Sequence, residues 1–291
     1  GISGRKEILY APSKTRSPPS GKMKIKRLCL FAHFDAQNEI KEYVVHYLHA
    51  LSTEADRIIF LTTCRPQQKE ARRIRELVSE IIHCDNAGYD FSMWQHSIQN
   101  LNLRNWDELL LTNSSVFGPV FPLSETFDAM REIPVDIWGM TDNQEFHWHL
   151  QSYFIVFRRS AIASDFFPKF WASVLPFKNK LQTILSYELG LSAYFRENGF
   201  AMGAFAPAHN LPYLNDRDTR RRPQRNLKSS PIGYPEELLL AKVPLMKVEL
   251  FRDNPYKINL RRLRDLLEKH GFNIQMLRYD RPRSIEATRW D

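Results

Sequence analysis

The 291-residue sequence has few cysteines and no long apolar run. Each of these two features argues against certain classes of protein. Its three cysteines, Cys29, Cys64 and Cys84, lie in or beside apolar stretches and form no C-x-x-C pair. A disulfide framework and a zinc knuckle are therefore not expected, and a reducing, cytoplasmic compartment is the simplest interpretation. No stretch approaches the roughly 20 apolar residues that span a bilayer, and no secretory signal is expected at the start.

Two familiar nucleotide-binding motifs are also missing. The sequence contains neither G-x-G-x-x-G, the dinucleotide fingerprint, nor G-x-x-x-x-G-K-[ST], the P-loop. It has no evident internal repeat. A nucleotide site in this chain has to be built from other residues.

Positive charge is in excess and lies late in the chain. Formal net charge is +8, and most of the excess follows Asn215, where RDTRRRPQR is the densest basic block. Such a block attracts an anionic partner, which is a nucleic acid, an acidic membrane face or a phosphorylated substrate. Because no nucleic-acid-binding motif is recognisable, nucleic acid is not the expected partner.

Composition divides the chain into three segments. Residues 1–26 are rich in Pro, Ser, Lys and Gly and are predicted to form a flexible segment or linker, with Met23 a candidate natural start. Residues 27–255 form the predicted main domain, and residues 256–291 a basic helical extension. In this extension INLRRLRDLLEKHGF predicts an amphipathic helix, which either packs on the main domain, inserts its leucines into an anionic membrane surface or contacts nucleic acid.

Strands and helices alternate through the main domain. Five apolar runs, RLCLFAH, RIIFLTT, EIIHC, DELLLTN and VDIWGM, predict buried strands, and helical spacing between them predicts helices. This alternation predicts an α/β fold with a single, mainly parallel sheet and helices on both faces. After Gly139, LQSYFIVF predicts a further strand, and SDFFPKFWASV and LQTILSYELGLSAYFREN predict helices.

Polar clusters follow the predicted strands. AHFD follows the first strand, DNAGYD the third, TNSSVFGP the fourth and MTDNQEFHWHLQS the fifth. Because the carboxyl ends of parallel strands share one edge of a sheet, we expect these clusters to form a common ligand site. The alternative is turn chemistry, in which Asp35 and Asp90 act as helix caps.

Six segments occur in order between about Arg27 and Pro255: LCLFAHFD, NAGYDFSMW, LLLTNSSVFGPVFPL, WGMTDN with HLQSYFIVF, YELGLSAYF and LLLAKVPLMKVELFRDNP. Together they resemble the rhamnan synthesis F family of bacterial glycosyltransferases. The resemblance implies a GT-A-like nucleotide-sugar-binding fold, a dTDP-rhamnose-like donor and a lipid-linked glycan acceptor. It also implies a peripheral position at the inner face of the cytoplasmic membrane.

The resemblance further implies which residues bind the donor. The expected donor-binding residues are His33, Asp35, Asn86, Gly88, Tyr89, Asp90, Asn113, Ser114 and Ser115. Carboxylates accept hydrogen bonds from ribose hydroxyls or a base N–H, and glycine permits close backbone approach. The residues expected to contact sugar or phosphate are Trp148, His149 and Gln151.

The fourth strand ends in TNSSV, where GT-A-like transferases usually carry an Asp-x-Asp pair that holds a divalent ion. Ser114 stands where an acidic residue is expected in many relatives. Hydroxyls and one amide cannot supply the charge that a hard cation prefers. We therefore expect a metal-free site in which Arg, Lys and backbone N–H groups neutralise the leaving diphosphate; weak binding of Mg²⁺ or Mn²⁺ through Asn113 is the alternative.

An inverting transfer needs a carboxylate that takes the proton of the acceptor hydroxyl. The resemblance implies a base at the start of a late helix, and Glu188 in YELGL matches that place. Asp142 in MTDN is the rival candidate. Each residue also has a purely structural alternative: Glu188 as a solvated helix residue, and Asp142 as a turn former. Two other functions stay open: a nucleic-acid-binding α/β protein, and a degenerate transferase that acts as an assembly partner.

Overall fold

The computed structural model describes residues 24–85, 89–175, 184–212 and 229–277. Its strands are β1 Arg27–His33, β2 Arg57–Thr62, β3 Glu80–His83, β4 Glu108–Asn113, β5 Val116–Phe117, β6 Ile137–Asn143, β7 His149–Leu150, β8 Phe154–Arg158, β9 Met202–Ala206 and β10 Met246–Lys247. Its helices are α1 Glu42–Ser52, α2 Gln68–Ile74, α3 Tyr89–Ile98, α4 Leu123–Arg131, α5 Arg159–Ile162, α6 Phe166–Ala172, α7 Leu189–Glu197, α8 Ser230–Gly233, α9 Pro235–Leu240, α10 Val248–Arg252 and α11 Leu260–Lys269. Most of the predicted flexible segment, the block RDTRRRPQR and the last fourteen residues of the predicted extension (278–291) lie outside the described residues.

The main sheet has the strand order β3-β2-β1-β4-β8-β6-β7, and β9 also pairs with β6. Strands β1 to β4 are parallel to one another, whereas β8 runs antiparallel between β4 and β6. Because β8 is antiparallel to both β4 and β6, β6 runs in the same direction as β1–β4, and β9 is parallel to β6. The carboxyl ends of β1–β4, β6 and β9 therefore lie at one edge of the sheet, together with the amino end of β8. The predicted α/β, GT-A-like class with its mainly parallel sheet is confirmed.

Helices cover both faces of the central strands, which explains why these strands are continuous apolar runs. Strand β3 lies at the edge of the sheet and is largely exposed, so the prediction that EIIHC forms a buried strand is wrong. Successive side chains of a strand point to opposite faces, so Leu110 packs with one apolar cluster while Leu109 and Leu111 pack with another. The first cluster includes residues of α1, α4, α9 and α11, and the second includes residues of α3, α6 and α7. Trp94 and Trp138 are core residues, at 0% and 1% exposure.

A small second sheet brings a late segment of the chain to the end of β4. Strand β10 pairs antiparallel with β5, with Lys247 opposite Val116 and Met246 opposite Phe117. Gly118 follows directly with φ +136°, and a Cβ there would collide with the carbonyl oxygen of Pro244. Glycine therefore allows the two segments to approach closely.

The predicted basic helix is α11, and it packs on the main domain. Leu263 and Leu267 are both fully buried in the cluster that includes α1 and α4. The alternative in which this helix inserts these leucines into a membrane is therefore wrong, because the main domain buries them. Arg261 and Arg264 are exposed on the opposite side. Within the described ranges, no helix is long and apolar enough to cross a bilayer.

Buried charges at the opposite edge of the sheet are structural. Arg27, at the amino end of β1, pairs with Glu108 at 2.7 Å, and Arg158 lies 3.8 Å from the same carboxylate. Removing one partner of such a pair costs about 3–5 kcal/mol, because the other charge is left buried without compensation. These residues stabilise the fold at the edge away from the polar clusters.

Candidate active site

Ser114, directly after β4, holds the loop that follows β1. Its Oγ accepts a hydrogen bond from the Phe34 N–H at 3.2 Å and donates to the Phe34 carbonyl oxygen at 3.3 Å. The hydroxyl of Tyr43 in α1 donates to the Ser114 carbonyl oxygen at 3.0 Å. At the place where an acidic residue is expected in relatives, this chain thus has a hydroxyl engaged with backbone groups.

Asn113 joins the segments after β3 and β4. Its Nδ2 donates to Oδ2 of Asp90 in the first turn of α3 at 2.7 Å, and its Oδ1 accepts from the Ser115 Oγ at 2.6 Å. The Nζ of Lys247 donates to the same Ser115 Oγ at 3.2 Å. Asp90, Asn113, Ser115 and Lys247 therefore form one continuous hydrogen-bonded chain, called the polar chain below.

Asp35 shapes the loop after β1 and is not the cap of a helix. Its Oδ1 accepts hydrogen bonds from the backbone N–H groups of Gln37 at 2.8 Å and Glu39 at 3.1 Å. Helix α1 begins only at Glu42, after Lys41. The helix-cap alternative for Asp35 is therefore wrong.

His33, the last residue of β1, is a fully buried histidine whose Nδ1 lies 2.8 Å from the Thr62 Oγ1. Its Nε2 has no hydrogen-bond partner within the part of the chain that the structure describes. Burial lowers the pKa of His33 to about 4, although the charge of Asp35 and a backbone contact with Glu39 act in the opposite direction. The imidazole is therefore neutral at pH 7.

The predicted donor-binding residues of the third loop are only partly described. Asn86 and Gly88 lie outside the described residues. Tyr89 begins α3 with φ +59°, and 45% of it is exposed. Asp90 is half-buried and belongs to the polar chain.

His149 and Gln151 lie behind the site edge rather than on it. They are 4% and 7% exposed. Gln151 accepts a hydrogen bond from Thr141 Oγ1 on β6 at 2.8 Å and donates one to Ser229 Oγ at 2.8 Å. Both ends of this amide are thus occupied by the protein, and its role in sugar binding stays a prediction.

Asp142 on β6 is a buried anchor, with 1% exposure. Its carboxylate accepts hydrogen bonds from Trp148 Nε1 and from the Ala208 N–H, each at 2.7 Å. Burial raises the pKa of Asp142, although these two hydrogen bonds and the charge of His209 act in the opposite direction. Each oxygen keeps a second lone pair, but at 1% exposure the carboxylate is not open to an acceptor hydroxyl, whereas Glu188 is half-buried.

Trp148 supports Asp142 and offers little surface to a sugar. The tryptophan is 6% exposed, and the Arg196 guanidinium lies 4.9 Å from the centroid of its ring. Stacking on a sugar needs an open ring face. The predicted contact of Trp148 with substrate is therefore not favoured by this arrangement.

Glu188 is half-buried at the junction of a π-helical turn, Ile184–Glu188, and α7. Its Oε1 accepts from the Ser152 N–H and its Oε2 from the Ser152 Oγ, both at 3.2 Å. Two bonds from one residue fix the orientation of the carboxylate, while the partial exposure keeps it in contact with solvent.

Tyr153 connects the two halves of this edge. Its hydroxyl lies 2.8 Å from Thr141 Oγ1, and the Lys247 ammonium lies 4.8 Å from the centroid of its ring. Burial raises the pKa of Tyr153, and the negative charges of Asp142 and Glu188 raise it further. Thr141, which contacts the Tyr153 hydroxyl, directly precedes Asp142, and Ser152, which binds Glu188, directly precedes Tyr153. Both candidate bases and the lysine of the polar chain are thus linked to one buried tyrosine.

A family model described as rhamnan synthesis protein F matches residues 58–283. This chain belongs to the rhamnan synthesis protein F family. The resemblance found in the sequence is thereby confirmed.

Two relatives match at modest identity. The uncharacterised protein y4gN of Sinorhizobium fredii is 26% identical over 185 residues, which cover 61% of this chain and 48% of the relative. The virulence protein VirA of Vibrio anguillarum is 26% identical over 224 residues, which cover 66% of this chain and 69% of the relative. The chain thus spans about half the length of y4gN.

Solved structures are similar at a low level. HddC from Yersinia pseudotuberculosis has a TM-score of 0.40 at 8% identity, over 63% of this chain and 91% of HddC. Glucosyl-3-phosphoglycerate synthase from Mycobacterium tuberculosis has a TM-score of 0.39 at 11% identity, over 75% of this chain and 80% of the synthase.

The residues of this family member at the end of β4 do not suit a divalent cation. In the four described ranges, no three His, Cys, Asp or Glu side chains lie together as metal ligands. The polar chain contributes one carboxylate, from Asp90, and carries the ammonium of Lys247 at its other end, which repels a cation. A metal-free donor site stays a prediction.

Reasoning from the sequence missed Lys247, Ser152 and Tyr153. In the sequence Lys247 merely interrupts the apolar segment ELLLAKVPLMKVELF. Its charge, inside a segment that carries the family resemblance, is the sequence feature that could have identified it as a site residue. Pairing of β10 with β5 is what brings it to the end of β4.

Proposed function

We propose that this chain is an inverting glycosyltransferase that moves a deoxyhexose, L-rhamnose, from a nucleotide-diphosphate donor to a lipid-linked polysaccharide. Family membership supports the nucleotide-sugar chemistry. The observation that carries the proposal is a carboxylate, Glu188, fixed by Ser152 and near the same buried Tyr153 that contacts Lys247 of the polar chain. A base and a phosphate-binding region are the two parts that the reaction needs.

In the proposed reaction, Glu188 takes the proton of the acceptor hydroxyl while that oxygen attacks the anomeric carbon. The bond between this carbon and the β-phosphate oxygen breaks on the opposite side, so the configuration inverts. The diphosphate leaves with the bonding electrons. A positioned general base contributes about 10²–10⁴-fold to the rate of such a step.

The donor is proposed to lie against the loops after β1, β3 and β4. Asp35 and Asp90 are half-buried carboxylates there, and Tyr89 presents exposed aromatic surface. Base and ribose groups are recognised by such carboxylate acceptors and by stacking on aromatic rings. His33, the buried last residue of β1, contacts Thr62 at the end of β2.

The proposed acceptor is lipid-linked, which places the chain at the inner face of the cytoplasmic membrane as a peripheral protein. The exposed Arg261 and Arg264 of α11 and the formal net charge of +8 support attraction to anionic lipid. Each basic residue near an anionic surface contributes about 1 kcal/mol.

The test is a thermal-shift and turnover experiment on the whole chain. We expect dTDP and dTDP-L-rhamnose to stabilise it by about 2.7 kcal/mol at a concentration of 100 Kd, and dTDP to be released when a rhamnose-polysaccharide lipid acceptor is added. Stabilisation by oligonucleotides instead would indicate a nucleic-acid-binding protein. Binding of the nucleotide without any turnover would indicate a degenerate transferase.

A further inference from the structure

Lys247 reaches the end of β4 from a distant part of the chain. Strand pairing places it opposite Val116, two residues after Ser114, the position where many relatives are expected to carry an acidic residue. Its ammonium donates to Ser115 Oγ at 3.2 Å and lies 4.8 Å from the ring centroid of Tyr153. Lys247 is half-buried, so its charge acts through a lower dielectric than that of a fully solvated lysine.

The remaining groups of the polar chain hold this ammonium in place. Ser115 is itself fixed, because both its N–H and its Oγ donate to Asn113 Oδ1, at 3.1 and 2.6 Å. Asn113 is in turn bound to Asp90. A cation at a fixed position can stabilise developing negative charge without reorganisation during the reaction.

Other basic side chains near this edge have different surroundings. The ammonium of Lys41 pairs with the Glu39 carboxylate in the loop after β1. The guanidinium of Arg196 lies over Trp148, on the side of β7. Lys247, by contrast, is itself a member of the polar chain.

We propose that Lys247 binds the diphosphate of the donor and supplies the positive charge that a metal ion supplies in Asp-x-Asp transferases. This assignment rests on the function proposed above. As the bond from the anomeric carbon to the β-phosphate oxygen breaks, its electron pair stays on that oxygen. Lys247 stabilises the added negative charge by an ammonium–phosphate hydrogen bond and keeps its own proton, while the acceptor proton goes to Glu188.

The experiment measures binding by isothermal titration calorimetry, with dTDP and thymidine as ligands, in EDTA and in Mn²⁺. The variants are Lys247→Met, which removes the charge, and Lys247→Arg, which keeps it. Lys269→Met is the matched control, because Lys269 is an exposed lysine of α11. Circular dichroism and urea unfolding show whether each variant folds; if Lys247→Met does not, Lys247→Gln takes its place.

We expect the wild type to bind dTDP in EDTA as tightly as in Mn²⁺. The loss of one charge-assisted hydrogen bond in Lys247→Met should weaken dTDP binding about 10- to 100-fold and leave thymidine binding within about twofold. Lys247→Arg should recover most of the affinity for dTDP, and Lys269→Met should not differ from the wild type.

Two results would overturn the role of Lys247 and leave the proposed function standing. One is wild-type dTDP binding that requires Mn²⁺, and the other is equal dTDP affinity in the wild type and Lys247→Met. Failure of the wild type to bind any nucleoside diphosphate, tested with dTDP, UDP and GDP, would instead overturn the proposed function and this assignment together.

Discussion

Asn113 donates a hydrogen bond from its side-chain amide to the carboxylate of Asp90 at 2.7 Å. Asn113 is the last residue of β4 and Asp90 lies in the first turn of α3, so this contact joins two loops at the carboxyl edge of the sheet. Because Asn113 Oδ1 also accepts from Ser115, an aspartate could not make the same set of bonds. The amide NH₂ group thus donates to the Asp90 carboxylate, and the amide oxygen accepts from Ser115.

We expect Asn113→Asp to lower the free energy of unfolding at pH 7 by about 1–3 kcal/mol, because it removes a donor and sets two carboxylates against each other. The loss should shrink toward pH 4, where one carboxyl becomes protonated. Urea unfolding at both pH values measures it. Asn105→Asp, at an exposed position, is the control, and equal losses for the two variants would contradict the prediction.

Glu188→Gln should lower kcat by about 100-fold or more with little change in the KM of the donor, since the amide cannot accept the acceptor proton. Ser152→Ala should cost less, because it removes one of the two bonds that orient the carboxylate. Initial rates of dTDP release provide the measurement.

Glu197→Gln, an exposed change on the same helix α7, serves as the control for Glu188 and should keep the wild-type rate. A Glu188→Gln enzyme that retains most of its turnover would exclude Glu188 as the base. Asp142 would then be the next carboxylate to examine, despite its burial.

His33 should make the protein sensitive to mild acid. Its pKa is lowered from 6.5 to about 4, so the folded state binds fewer protons than the unfolded state between these values. The stability that comes from neutral His33 is complete above pH 6.5 and is lost as pH falls toward 4, by about 3 kcal/mol in total. Unfolding free energies of the wild type and His33→Asn should therefore converge as pH falls from 7 to 4.

His49→Asn provides the comparison for this pH series, because His49 is an exposed histidine of α1. Its unfolding free energy should follow that of the wild type at every pH. A constant difference between His33→Asn and the wild type from pH 7 to 4 would show that His33 does not titrate as stated.

The two sides of α11 should respond differently to substitution. Leu267→Ala should lower the free energy of unfolding by about 2–5 kcal/mol, because Leu267 is fully buried. The pair Arg261→Gln and Arg264→Gln should change stability by about 0.5 kcal/mol or less and should weaken sedimentation with anionic vesicles. Leu240→Ala is the control for the first change, since 54% of Leu240 is exposed.

A Leu267→Ala protein as stable as the wild type would mean that α11 does not pack as described. Unchanged sedimentation of the double arginine variant would remove the basic face of α11 from any membrane contact. Vesicles of neutral lipid separate electrostatic attraction from other binding.

The sequence by itself determined the class of fold and the edge at which polar residues gather. The predicted strand RLCLFAH and helix LSETFDAMR coincide with β1 Arg27–His33 and α4 Leu123–Arg131. Such segments can be read locally, because burial on both faces leaves an uninterrupted apolar run and burial on one face leaves helical spacing. Ser114 and Glu188 were likewise found by their place in recognisable segments.

Tertiary structure alone decided which of these polar residues meet. The antiparallel course of β8 between β4 and β6 sets Tyr153 beside Lys247, and the pairing of β10 with β5 brings Lys247 to Ser115. The burial of the α11 leucines also depends on a partner surface that is distant in sequence. Local sequence patterns determine whether a segment prefers a helix or a strand. They do not determine the free energy of contacts between segments that are far apart along the chain, and it is those contacts that form this site.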